Sequence, residues 1–282
     1  MHASRTAITV SLIVGAAATV SVGLVLSSGG GPSSGRTTAA VVSPLQAPKA
    51  RQAARLRQHA APAGTAPANT VPSGSASANT VPSSTVLATV LWTAPRYASP
   101  GHLAAGTVPA TWYDRPSVLP VIATSPGWVQ VRLAERPNGS TAWLPDGDVT
   151  LGRTPYRIVI NAATTQLALY DAGRLVFSAP AGVGTVQDPT PPGEYFVAFD
   201  EEPPQPNSGY GPFIIVTSAH SPAIADWEGS GDAVIGIHGP LGDDTEIGTS
   251  GARISHGCIR LHDQALERLA EVPPGTPIDV VG

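Results

Sequence analysis

The chain has 282 residues, a net charge of −4, only 13% charged residues, 30 glycines and 29 prolines. It is long enough for two modest domains joined to unstructured sequence. Its one cysteine, Cys258, excludes an intramolecular disulfide, and its acidic balance does not point to a nucleic-acid partner.

Charge is spread unevenly. No Asp or Glu precedes Asp114, whereas Arg5, Arg36, Lys49, Arg51, Arg55, Arg57 and Arg96 do. The first segment, residues 1–30, contains the run ITVSLIVGAAATVSVGLVL at residues 8–26. Its 19 uncharged positions suffice to cross a bilayer as a helix. A cleavable signal peptide is the competing reading. The run is longer than a usual signal core and no clear A-x-A site follows, so an uncleaved membrane anchor is the expectation. Residues 31–85 are rich in Ala, Pro and Ser, and Ala-Asn-Thr-Val-Pro-Ser occurs at Ala68 and again at Ala78. So short a repeat, with proline in it, reads as a disordered stalk. The basic run at residues 49–57 reads as a solvated stretch, with contact to anionic lipid or wall polymer as the functional alternative.

Residues 86–152 regain aromatics: Trp92, Tyr97, Trp112, Tyr113, Trp128 and Trp143. Strand-like runs at residues 127–133 and 141–144 flank Asn138-Gly139, a hairpin signal. Short strands with frequent turns predict a small β-barrel. The run GWVQVRLAERPNGSTAWLP resembles a bacterial SH3-type domain. That resemblance implies binding of cell-wall polymer; the plain alternative is a spacer.

Residues 153–282 are expected to be mainly β and to form a β-sandwich. Strands are predicted at residues 157–160, 166–170, 175–179, 194–199, 213–217, 233–237 and 277–281. Asp171-Ala172-Gly173 gives a tight hairpin, and Thr190-Pro191-Pro192-Gly193 a stiff turn. Pro203, Pro204, Pro206, Gly209 and Gly211 mark residues 200–212 as a loop. A short helix is predicted over residues 264–271, capped by Asp263 and stopped by Pro273 and Pro274.

The chemistry gathers in residues 232–261. His238 ends an apolar run, and Cys258 sits in Ser255-His256-Gly257-Cys258-Ile259-Arg260. A thiol and an imidazole brought together are the parts of a cysteine acyl-transfer site, since the thiolate is the nucleophile and the imidazole takes its proton. Taken singly, such residues are more often a core histidine and a small buried hydrophobe. His238, His256, Cys258 and His262 are possible metal ligands, but no pair has the spacing zinc sites favour, so no metal or cofactor is expected.

A His, 16 intervening residues (239–254) and then Ser-His-Gly-Cys-Ile-Arg resembles the signature of the L,D-transpeptidase (YkuD) family. Arg260 departs from the Asn of many members. The Thr190 turn resembles the family's T-P-x-G-x-aromatic element. The resemblance implies a peptidoglycan L,D-transpeptidase that forms 3-3 cross-links between stem peptides through a cysteine thioester. Cys258 would be the nucleophile, activated and reachable, and His238 the general base. Ser255, His256 and Gly257 would shape the turn, and the Gly239 carbonyl would orient the imidazole. Backbone N–H groups around Gly257 and Cys258 would hold the oxyanion, and Arg260 would pair with a substrate carboxylate. Asp243, Asp244 and Glu246 are given no chemical role. The resemblance also places the catalytic domain outside the cytoplasm. The alternatives are an L,D-carboxypeptidase of the same fold, in which water replaces the acceptor amine, and a non-catalytic wall-binding protein.

Overall fold

The computed structural model describes residues 81–282 except Glu228 and Ser250. The expected anchor at residues 8–26, and the expected stalk as far as residue 80, lie outside the described residues. Among the described residues, no helix is long and apolar enough to cross a membrane. The described chain is mainly β, as expected.

The first nine strands are β1 (Thr85–Val90), β2 (Ala94–Tyr97), β3 (Ala104–Val108), β4 (Thr111–Trp112), β5 (Arg115–Pro116), β6 (Val118–Ser125), β7 (Trp128–Arg132), β8 (Thr141–Pro145) and β9 (Val149–Thr154). Seven of them form one sheet in the order β3-β2-β8-β7-β6-β1-β9. Alternate residues point inward, as in Val129 and Val131 of β7 and Ala142 and Leu144 of β8. The inward set includes Ala94 and Val108 near one edge and Val149 at the other, in a single core. The sheet therefore curls around its own interior. Strand β9 runs to Thr154, past the expected boundary at residue 152.

The second group comprises β10 (Tyr156–Asn161), β11 (Gln166–Asp171), β12 (Arg174–Pro180), β13 (Val183–Gly184), β14 (Gly193–Glu201), β15 (Ile214–His220), β16 (Val234–His238), β17 (Arg253–Ser255), β18 (Ile259–Arg260) and β19 (Pro277–Val281). Eight of them form a sheet in the order β12-β11-β10-β19-β14-β15-β16-β18, and β13 pairs with β17 beside it. The expected sandwich is this one sheet folded on itself. Strand β14 makes the fold: residues 193–196 pair with β19, and residues 197–201 pair with β15. A register shift between Val197 and Phe199 bends it there. Ile158, Ile160 and Leu167 from one half then share a core with Ile215, Ile235 and Ile237 from the other.

The pleat of β14 also joins the two groups of strands. Tyr195 and Val197 point into the second core, whereas Phe196 points into the core of the first sheet. Phe196 is fully buried there, a burial that contributes about 1.5–3 kcal/mol. Gly275, at φ +83°, turns the chain just before β19; a Cβ on it would lie 2.9 Å from both Leu87 and Val118. The helix differs from expectation. It is α1 (Asp263–Glu267), with His262 and not Asp263 at the N-cap, and the chain continues as tight turns that bury Leu269 and Val272.

Candidate active site

His238 is the last residue of β16, a strand buried along its whole length. Strand β18 runs parallel to it, with Ile237 opposite Ile259 and His238 opposite Arg260. Cys258 immediately precedes β18. The register therefore brings thiol and imidazole to neighbouring positions on two adjacent strands. The Gly236 N–H donates to Cys258 Sγ at 3.3 Å, which fixes the sulfur against β16.

His238 Nδ1 lies 2.8 Å from the Gly239 carbonyl oxygen. A carbonyl only accepts, so Nδ1 carries the proton and Nε2 keeps its lone pair, free to accept a proton. Close packing requires glycine at position 239. A Cβ there would meet the Gly211 nitrogen at 2.5 Å and the Tyr210 carbonyl carbon at 2.6 Å. The loops 200–212 and 239–254 are thus tied together, with the Gly239 N–H on the Tyr210 carbonyl at 2.7 Å and the Leu241 N–H on that of Gly209 at 2.9 Å. The Tyr210 ring stands edge-on to the imidazole at 5.0 Å.

Ser255 closes the cysteine turn. Its hydroxyl donates to the Cys258 carbonyl at 2.5 Å and accepts from the Gly257 N–H at 3.1 Å. That amide was an expected oxyanion donor, and here it is bonded within the turn. Gly257 adopts φ +120°, and a Cβ on it would lie 2.7 Å from Ile235. His256 is half exposed; its Nε2 lies 3.8 Å from Asp188, and its ring 5.5 Å from that of Trp227.

Arg260 differs most from expectation. Its side chain is buried, and its guanidinium is ion-paired with Asp243 of the 239–254 loop. Asp244 of the same loop lies 3.3 Å from His262. Asp243, given no role from sequence, is the partner Arg260 holds, so a substrate carboxylate reaches that guanidinium only by displacing it. Thr190 was also underread. Its hydroxyl donates to the Gly257 carbonyl at 2.7 Å and accepts from the Gly184 N–H at 2.9 Å, bridging the cysteine turn to β13. The T-P-x-G turn marked the threonine, but its partner is 67 residues away. Among the described residues, no three His, Cys, Asp or Glu side chains gather as a metal site.

The electrostatics favour a neutral resting pair. Burial pushes the Cys258 thiol up to about 11, against the Gly236 N–H and the Arg260 charge, which both lower it. Burial pulls His238 down to about 4; the Gly239 hydrogen bond opposes this, and the Arg260 charge adds to it. The thiol, 1% exposed, is neither preformed thiolate nor freely reachable, contrary to expectation. Stability carries the same signature. His238 is neutral in the fold but protonates from about 6.5 when unfolded, so its contribution is present above 6.5 and lost as pH falls toward 4. The unfolding free energy from urea titrations should fall between pH 6.5 and 4, by up to about 3 kcal/mol from this group, and His238→Asn should flatten that slope. The thiol acts in the opposite direction, removing stability as pH rises from 9 toward 11.

Residues 155–280 match the family model of the YkuD L,D-transpeptidase catalytic domain. A Bacillus licheniformis protein assigned by name as L,D-transpeptidase YkuD is 35% identical over 127 residues, covering 45% of this chain. A Bacillus subtilis protein assigned by name as L,D-transpeptidase YqjB is 28% identical over 145 residues, covering 49% of this chain and 77% of its own length. The chain spans 66% of the length of the Bacillus licheniformis relative, just under two thirds. Among solved structures, the catalytic domain of an E. faecium L,D-transpeptidase is 23% identical over 44% of this chain and 95% of that one, with a TM-score of 0.33.

Proposed function

We propose that the chain, whose residues 155–280 match the family model of the YkuD L,D-transpeptidase catalytic domain, is a peptidoglycan L,D-transpeptidase acting through a cysteine thioester. The observation that carries the reading is the pairing of β16 with β18. It sets Cys258 beside a strand that ends in His238, with Nδ1 of the imidazole held by a backbone carbonyl.

The donor is a tetrapeptide stem ending in D-alanine. As Cys258 Sγ attacks the carbonyl carbon of the third residue, its proton passes to His238 Nε2. The C–N bond to D-alanine then breaks, and the imidazolium returns that proton to the leaving amine, giving a thioester and free D-alanine. The amine of a neighbouring stem attacks the thioester, His238 takes its excess proton, and the thiolate leaves to be reprotonated. A new amide joins the third residues of two stems. A neutral resting imidazole suits this order of steps, because it must accept a proton first. The loops 200–212 and 239–254, tied together beside His238, wall the acceptor side and keep water from the thioester. We further propose that residues 8–26 anchor the chain, that residues 86–152 meet the wall polymer, and that the catalytic domain works outside the cytoplasm.

The test is incubation of the purified protein with disaccharide tetrapeptide, read by mass spectrometry. Dimers joined between third residues, with D-alanine released, are expected. Excess D-amino acid should exchange into position four. Tripeptide and D-alanine as the only products, even at high acceptor concentration, would replace transfer by the carboxypeptidase reading.

A further inference from the structure

The turn at residues 136–140, between β7 and β8, belongs to the first sheet, yet its polar side chains bond to the catalytic group of strands. Arg136 Nε donates to Asp232 Oδ1 at 2.7 Å, and its two terminal nitrogens donate to the carbonyls of Ser221 at 2.8 Å and Ile224 at 3.0 Å. Asn138 grips the His220 backbone in both directions, donating to its carbonyl at 2.7 Å and accepting from its N–H at 2.9 Å. His220 ends β15, and Asp232 lies just before β16. Both ends of the segment 221–232 are therefore held by one turn of the other sheet. His220 Nδ1 also lies 2.8 Å from Asp232 Oδ2. Burial alone would raise the Asp232 carboxyl, but Arg136, the Ala233 N–H and His220 together outweigh it and hold it below its ordinary value.

Within the segment, the Trp227 N–H donates to the Asp232 carbonyl at 2.9 Å and the Gly231 N–H to Asp226 Oδ1 at 2.8 Å. This leaves Trp227 packed on the edge of the catalytic core, with its ring against that of His256, two residues before the thiol. The planar guanidinium suits this task, since it meets three acceptors in fixed directions, which an ammonium cannot do.

We propose that Arg136 and Asn138 are positioning residues for the reaction. They hold the segment 221–232 so that Trp227 forms the wall beside His256 and Cys258 against which the stem peptide binds. The first sheet is then part of the active-site machinery in cis. The inference rests on the transpeptidase reading for its ligand and its kinetic consequence, and on the geometry alone for the hold on the segment.

The experiment compares Arg136→Ala, Arg136→Lys, Asn138→Ala and Trp227→Ala in the full chain. Hydrogen exchange of the peptide spanning 221–232 should speed up at least about tenfold in Arg136→Ala and Asn138→Ala, while peptides from β16 and β18 stay protected. Donor kcat/KM should fall about 10–100-fold, and Trp227→Ala should reproduce that loss with the exchange of β15 and β16 unchanged. Added guanidinium ion should restore part of the activity of Arg136→Ala, and Arg136→Lys should restore less than the native arginine. Unchanged exchange in 221–232, or an activity loss that only tracks the unfolded fraction and ignores guanidinium, would overturn the proposal. If the native chain transfers nothing, the transpeptidase reading fails while the exchange measurement still decides whether the turn holds the segment.

Discussion

Cys258→Ala is expected to abolish transfer and hydrolysis together, by on the order of 10⁴-fold or more, because in the proposed mechanism both begin with the same thioester. Loss of the sulfur also strips the Gly236 N–H of its acceptor, so a stability cost of about 1–2 kcal/mol should accompany it. Cys258→Ser separates the two effects. The hydroxyl can still accept from Gly236, so stability should largely return. Activity should not, because an alcohol is a much weaker acid and a poorer nucleophile than a thiol and yields its proton to the same imidazole far less readily. Release of D-alanine and urea midpoints, measured on both variants, check this. D-alanine released by Cys258→Ala at a native rate would remove the cysteine from the mechanism.

Thr190→Val keeps the shape of the side chain and removes its hydroxyl. Two buried groups then lose their partner: the Gly257 carbonyl, previously at 2.7 Å, and the Gly184 N–H, previously at 2.9 Å. Each unsatisfied group costs about 1–3 kcal/mol, so a loss of roughly 2–6 kcal/mol is expected. The activity effect should exceed the fraction unfolded, because the Gly257 carbonyl sits in the turn that presents the thiol. Thr190→Ser, which keeps the hydroxyl, should recover most of both. Circular dichroism melts and donor kinetics on the pair distinguish a turn held by this bridge from one held by Ser255 alone. A valine variant with native stability and native kinetics would show that Ser255 suffices.

The elements that were legible in the sequence are those whose cause is local. Strand β19 covers residues 277–281 as expected, because β-branched residues alternate there after a proline. The hairpin at Asp171-Ala172-Gly173 forms because its two turn residues take φ +49° and +77°, which glycine readily allows at the second. The motif and spacing around His238 and Cys258 carried a family resemblance that implied the Gly239 carbonyl as the partner of the imidazole, and the structure places that carbonyl 2.8 Å from His238 Nδ1. The helix cap was misread because His262 precedes an acidic residue that is the more common cap. Strand β17 was missed because three residues, Arg253–Ser255, are too few to show a period.

The amino-acid order by itself determined most of the longer strands, the tight turns and the candidate pair Cys258 and His238, since each rests on neighbours in the chain or on a fixed spacing. Only the tertiary structure decided that the thiol is buried and neutral, that Arg260 is held by Asp243, that Thr190 supports Gly257, and that Arg136 holds the segment bearing Trp227. Those facts depend on contacts between residues as far apart as Arg136 and Asp232, 96 positions along the chain. No local pattern encodes such contacts. They exist because β14 bends at Val197, folds one sheet over on itself, and sends Phe196 into the core of the other.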